Sequence, residues 1–145
     1  MKKNKLRILF IFLSMFFIPK MVLAVEEGNT LVGSDLTSPG SEITFEVKPS
    51  SNSTFKKYEA DLSYETNVLE LIRIENKNSW TGTNSITSKS PLSLKFEHES
   101  GISGEPTVAT LTFKVKPDAT KTETRISLVG KIEEMDGTLK NLEIS

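Results

Sequence analysis

His98 is the only histidine in the 145-residue chain, and there is no cysteine. A Ser-His-Asp system needs an imidazole beside a serine and a carboxylate, and no G-x-S-x-G motif supplies that serine. As a zinc ligand His98 would have to work with carboxylates alone, an uncommon donor set. Its place between Glu97 and Glu99, ahead of Ser100-Gly101, predicts a solvated loop. The lack of cysteine excludes thiol nucleophiles and Cys-ligated zinc or iron–sulfur sites. Acid pairs occur at Glu26/Glu27, Glu97/Glu99 and Glu133/Glu134 with Asp136. A glycosidase needs two carboxyls across a cleft, one with a raised pKa, and acids on the outward phase of strands are not buried enough for that. Asp136 has no D-x-D-x-D-G series, so it is not a calcium loop of the EF-hand kind. The expectation is a protein without catalytic residues, cofactor or metal. Trp80 remains as a possible sugar contact, since flat rings stack on pyranoses. It is the sole tryptophan and sits in a polar stretch, so it either stands exposed or folds back to plug the edge of the domain.

The elements that would position these residues read as strands. Ile43, Phe45 and Val47 alternate with polar neighbours, as do Tyr58, Ala60, Leu62 and Tyr64. Leu92, Leu94 and Phe96 repeat the pattern, and Ala109, Leu111, Phe113 and Val115 repeat it again. Ile126 with Leu128, and Leu142 with Ile144, continue it. Period two marks half-buried strands. Turn residues separate the runs at Ser38-Pro39-Gly40, Pro49-Ser50-Ser51-Asn52-Ser53, Gly101-Ile102-Ser103-Gly104, Pro117-Asp118 and Asp136-Gly137. The last of these predicts a hairpin between Ile132 and Leu139. Residues 76–90 are polar and predict a long connection with at most one short strand. The fold class is all-β, an antiparallel β-sandwich.

The N-terminus has the order of a secretory leader. Lys2, Lys3, Lys5 and Arg7 precede an apolar run from Ile8 to Ile18, and Val22-Leu23-Ala24 completes a cleavage signal. The run is about 11 residues, short of the roughly 20 that span a bilayer. The expected division is a signal peptide over 1–24 and one domain over 25–145, secreted or at the cell surface, with no membrane span in the mature chain. The leader takes five basic residues with it, so the formal charge falls from −1 to −6. A moderately acidic domain without basic clusters argues against nucleic-acid binding. A domain of this length buries enough surface to do without disulfides.

Longer patterns carry a family resemblance. Tyr58-Glu59-Ala60-Asp61-Leu62-Ser63-Tyr64-Glu65-Thr66-Asn67-Val68-Leu69-Glu70-Leu71 resembles the cohesin signature of a strand, a Tyr-Asp-x-x-Val-Leu-Glu corner and the next strand. Gly104 followed by Thr107-Val108-Ala109-Thr110-Leu111-Thr112-Phe113-Lys114-Val115-Lys116 is similar to the long cohesin strand. Residues 34–47, with Pro39-Gly40 before an alternating strand, are similar to the family's opening hairpin. The resemblance implies a nine-stranded jelly roll related to cellulose-binding modules. It also implies a non-catalytic role, presenting a sheet face to a dockerin-like partner in polysaccharide-degrading assemblies. Carried over, the partner-binding residues are Lys57, Glu59 and Asp61, with Thr110, Thr112 and Lys114 added from the outward phase of the long strand. The chain departs from the family in having Glu65 where the corner has Asp, and in having only residues 139–144 to serve as a last strand. Two alternatives stand beside a protein partner: a carbohydrate-binding module on the same fold, and a structural spacer of a cell-surface protein.

Overall fold

The structure is a computed structural model, and it describes residues 20–23, 28–33, 38–121 and 123–142. Most of the expected leader, and the Ala24–Val25 bond, lie outside these residues. Alternation becomes strand wherever one face can be buried, and the described residues contain strands but no helix. In chain order they are β1 (Lys20–Leu23), β2 (Asn29–Val32), β3 (Glu42–Pro49), β4 (Ser51–Tyr64), β5 (Leu69–Asn76), β6 (Leu92–Gly104), β7 (Ala109–Val115), β8 (Glu123–Glu134) and β9 (Leu139–Leu142). One sheet, here sheet A, has the order β1-β8-β4-β6 with β9 also on β8; sheet B has the order β2-β3-β7-β5. All pairings are antiparallel except β1 on β8, which is parallel. The two sheets form the jelly-roll sandwich. β1 falls within the residues read as leader, so a cut after Ala24 leaves the sandwich with β2 to β9.

Between the sheets lies one core, and the inward phase of each strand fills it. Phe45 and Val47 of β3, Tyr58 and Leu62 of β4, Leu111, Phe113 and Val115 of β7, and Ile126 and Ile132 of β8 are fully buried. Tyr64 of sheet A meets Phe113 of sheet B edge-on at 5.1 Å between ring centres, and Phe45 meets Phe113 at 6.1 Å. Such aromatic pairs contribute beyond the area they bury. Gly130 takes an inward position on β8 because a Cβ there would lie 2.8 Å from the Tyr58 ring and 3.1 Å from the Glu59 carbonyl.

The expected hairpin is present: Asp136-Gly137 lies in the turn joining β8 to β9. Gly137 has φ 90°, and the Thr138 N–H donates to Asp136 Oδ1 at 2.9 Å. That bond, chiefly, holds the Asp136 carboxyl below its ordinary pKa. The Tyr corner also forms as read. β4 ends at Tyr64, the N–H groups of Val68 and Leu69 donate to the Glu65 carbonyl at 3.0 and 2.9 Å, and both side chains enter the core.

Two expected turns are strand instead. Residues 51–53 open β4, and residues 101–104 close β6, with Ser51 opposite Gly104 and Phe55 opposite Ile102. Two bulges interrupt this ladder, between Ser51 and Phe55 and between Phe55 and Lys57. Gly101, at φ 70°, lies among the extra residues of β6 in the second of these, where a left-handed backbone suits glycine. At 101–104 the turn residues bend a ladder rather than end it, whereas at 49–51 they carry the chain from one sheet to the other. Ser50 alone separates β3 in sheet B from β4 in sheet A.

Candidate functional site

The outer face of sheet A is built by cross-strand register. Lys57 lies opposite Glu97 of β6 and Glu133 of β8; Glu59 lies opposite Lys95 and Lys131; Asp61 lies opposite Ser93 and Val129. Each β4 residue therefore stands between two partners, and the first two rungs alternate in charge. Lys131 Nζ is 3.1 Å from Glu59 Oε2, Lys95 Nζ is 3.8 Å from Glu59 Oε1, and Lys57 Nζ is 3.5 Å from Glu133 Oε2. Lys56 Nζ also approaches Glu133 Oε1 at 3.5 Å. In the third rung Ser93 Oγ donates to Asp61 Oδ1 at 2.5 Å. Exposed pairs of this kind add about 0–1 kcal/mol each to stability. Their larger effect is to hold charged groups in a fixed pattern that a partner can match.

β9 widens this face. Leu139 pairs with Glu133 and Asn141 with Lys131, so both point the same way as the ladder. Leu139 is 64% exposed and Val129 is 49% exposed, and Met135 in the adjoining turn is 47% exposed. Exposed apolar residues beside a charged ladder are what a binding surface offers as anchors. A shallow depression lined by Asp61, Ser93, Lys95, Val129, Lys131 and Asn141 lies among them. Neither Val129 nor Leu139 is among the binding residues that the family resemblance implies. The signal was available for Val129: an apolar residue on the polar phase of β8, between Ser127 and Lys131.

The six residues expected to bind a partner do not share a face. Lys57, Glu59 and Asp61 are on β4 in sheet A, whereas Thr110, Thr112 and Lys114 are on β7 in sheet B. Alternation tells inward from outward, not which sheet a strand joins. Thr112 is also 2% exposed, not open on the surface. Its Oγ1 is 3.0 Å from Thr44 Oγ1, and it pairs in register with Arg73 of β5. Thr110 donates to Glu75 at 3.3 Å. Lys114 lies between Glu42 and Glu70.

Trp80 is 2% exposed and is a plug rather than a platform, so no ring is offered to a sugar there. It lies 5.5 Å from the Phe55 ring and 5.3 Å from the His98 ring. His98 is not in a solvated loop: it is a half-buried residue of β6, and its placement follows from β6 running on to Gly104. Trp80 Nε1 and His98 Nδ1 are buried without hydrogen-bond partners among the described residues. No cluster of three or more His, Asp or Glu side chains that could hold a metal is found among them either. No described helix is long and apolar enough to cross a membrane.

Solved structures share this architecture. The cohesin module of a Clostridium perfringens family 33 glycoside hydrolase superposes with a TM-score of 0.72 at 15% identity, over 84% of this chain and 93% of that one. A cohesin from Clostridium thermocellum, in a type I cohesin–dockerin complex, gives 0.62 at 11% identity over 81% and 94%. A non-cellulosomal cohesin from the archaeon Archaeoglobus fulgidus gives 0.56 at 16% identity over 90% and 83%. No curated protein matches the sequence. At these identities the structures establish the fold. The sequence itself carries the family: the model of the cohesin domain matches residues 28–144, nearly the whole of the sandwich and both blocks of the resemblance, and the chain belongs to the cohesin family.

Proposed function

We propose that this chain is a non-catalytic, extracellular binding module that offers the outer face of sheet A to a dockerin-like protein. One observation carries the reading: β4, β6, β8 and β9 together display a fixed charge ladder with exposed Val129 and Leu139 at its side. Fixed charges favour one partner over another, and small apolar anchors supply affinity where water is excluded. Solved cohesins support the class of partner, since several of those similar to this chain are in complex with dockerins. The leader-like N-terminus supports an extracellular setting. The carbohydrate alternative loses the ring on which it rested, because Trp80 is inside.

Calcium-loaded dockerins passed over the immobilised module test the proposal. Asp61→Arg and Glu59→Arg, on sheet A, should weaken capture at least about tenfold, or ~1.4 kcal/mol. Lys114→Glu, on sheet B, should leave it unchanged. Equal loss from both faces, or no capture of any dockerin, would favour the spacer reading. Retention on insoluble cellulose without a protein partner would favour the sugar reading.

A further inference from the structure

β5 is the last strand of sheet B, with β7 on one side and no strand on the other among the described residues. The backbone groups that face its open side follow from the ladder behind it. The Val115 N–H donates to the Ser41 carbonyl at 2.9 Å, so the odd-numbered residues of β7 turn toward β3. Thr110, Thr112 and Lys114 therefore turn toward β5, where their partners are Glu75, Arg73 and Glu70. In an antiparallel ladder this leaves the N–H and C=O groups of Leu71, Ile74 and Asn76 pointing outward. The Leu71 backbone already bonds the Tyr64 hydroxyl, and a bulge at Ile72 interrupts the strand beside it. After Asn76 the chain leaves the edge in the turn where Asn78 and Ser79 have positive φ. A regular open edge remains over residues 73–76. Arg73 and Glu75 are exposed on its outer face, and Ile74 is half-buried against the core.

We infer that this edge pairs with the same edge of a second copy, antiparallel about a two-fold axis at Ile74. An open edge with its own ladder behind it is a template for another strand. Bonding and charge together select the register. An axis at Ile74 lets the outward N–H and C=O of Ile74 exchange two bonds with Ile74 of the second copy. It also sets Arg73 opposite Glu75 of the second copy and Glu75 opposite Arg73 of the second copy, two opposite-charge cross-strand pairs. An axis at Glu75 would put Glu75 on Glu75 and Arg73 on Lys77, and an axis at Arg73 would put Arg73 on Arg73. The same patch serves both copies, as a closed two-fold dimer requires. Sheet B then runs continuously through both molecules. The axis is perpendicular to that sheet, so the two charge ladders of sheet A lie on the same side of the dimer, and the contact uses no residue of either. It is short, well below a standard interface, so the dimer is weak and concentration-dependent.

The inference is independent of which partner the ladder binds. The full reading frame is expressed in an exporting host and the secreted chain is purified. Sedimentation equilibrium then follows it from roughly ten micromolar to one millimolar, the range in which weak contacts titrate. A reversible monomer–dimer equilibrium is expected. Arg73→Glu alone and Glu75→Arg alone should each weaken association at least about tenfold, because each puts like charges on both pairs. An equimolar mixture of the two variants should recover it to within about threefold of the wild type, because every cross-strand pair then joins opposite charges. That recovery also shows that both variants are folded. Hydrogen exchange locates the contact. The Ile74 amide is open in the monomer and bonded in the dimer, so its exchange should slow as concentration rises, whereas the Glu75 amide, which faces Thr110 in both states, should exchange at one rate. A chain that stays monomeric throughout, single variants that dimerise as the wild type does, a mixture that does not recover, or an Ile74 amide whose exchange ignores concentration would each overturn the inference.

Discussion

Glu65 shows how one residue can replace the geometry it departs from. An aspartate at the corner would bond locally, whereas the longer Glu65 side chain reaches both the connection between β7 and β8 and the start of β8 itself. Lys121 Nζ donates to one carboxylate oxygen, and Thr124 Oγ1 donates to the other at 2.6 Å. The Lys121 bond first, and then the Thr124 bond, hold the Glu65 carboxyl below its ordinary pKa. The folded pKa is depressed, so the associated stability is present above the unfolded value and is lost as pH falls through the folded one. The side chain is 36% exposed, and solvent screens the pair to about 0.5–1 kcal/mol. Glu65→Gln should therefore be less stable than the wild type by about that amount near neutral pH. The gap should close as pH is taken from neutral to well below the ordinary carboxylate range, where the wild-type carboxyl also takes up a proton. Urea unfolding at both pH values measures the gap; a gap that does not shrink on acidification would show that charge is not its origin.

At the scale of elements, the connection from β5 to β6 holds what the sequence concealed. Residues 76–90 look like a loop, and from 77 onward they lie outside the named strands. Yet Thr81 exchanges two backbone bonds with Glu97 at 2.8 Å each, and the Asn84 amide bonds both the N–H and the C=O of Lys95, at 2.8 and 3.0 Å. The free edge of β6 is thereby covered by a bridge and a side chain, without a strand. The loop reaches it through a tight turn in which Asn78 and Ser79 have φ 53° and 63° and the Trp80 N–H donates to the Lys77 carbonyl at 3.0 Å. Two positive φ values suit Asn and Gly far better than Ser. Ser79→Gly should stabilise the domain by about 0.5–1 kcal/mol, less whatever freedom glycine adds to the unfolded chain. A urea midpoint that falls would mean the Ser79 side chain makes a contribution that outweighs its backbone. What was legible was the in-and-out phase of the strands: Ala109, Leu111, Phe113 and Val115 were read as inward, and all are fully buried. What was not legible was long-range pairing. Nothing local says that β7 belongs to sheet B while β4 belongs to sheet A, so alternation alone does not separate Thr110, Thr112 and Lys114 from Lys57, Glu59 and Asp61. Nor does a run of Ser, Asn and Gly reveal whether it turns the chain or bulges a ladder.

For the whole molecule, the question is what closes the sandwich at the end away from the Tyr corner. At the corner end, Tyr64 of sheet A packs on Phe113 of sheet B, and Phe45 of sheet B packs beside Phe113. Toward the other end, sheet A bends through the bulges beside Phe55, and Trp80 packs there against Phe55 and His98. Trp80 comes from a loop rather than a strand, so its burial pins that loop to the sandwich and with it the cover on the β6 edge. Removing the ring should open a cavity lined by Phe55 and His98, and Trp80→Ala is expected to cost about 3–5 kcal/mol, a large share of a small domain's stability. Trp80→Phe should cost much less. It keeps most of the apolar ring and deletes an indole N–H that has no hydrogen-bond partner among the described residues, so no bond is lost with it. The wide separation of the two variants in chemical unfolding is the signature of a plug, because a surface ring used for binding would leave stability nearly unchanged in both. If Trp80→Ala unfolds at the wild-type denaturant concentration, Trp80 does not close the sandwich, and an exposed, ligand-facing ring returns as the explanation for the only tryptophan in the chain.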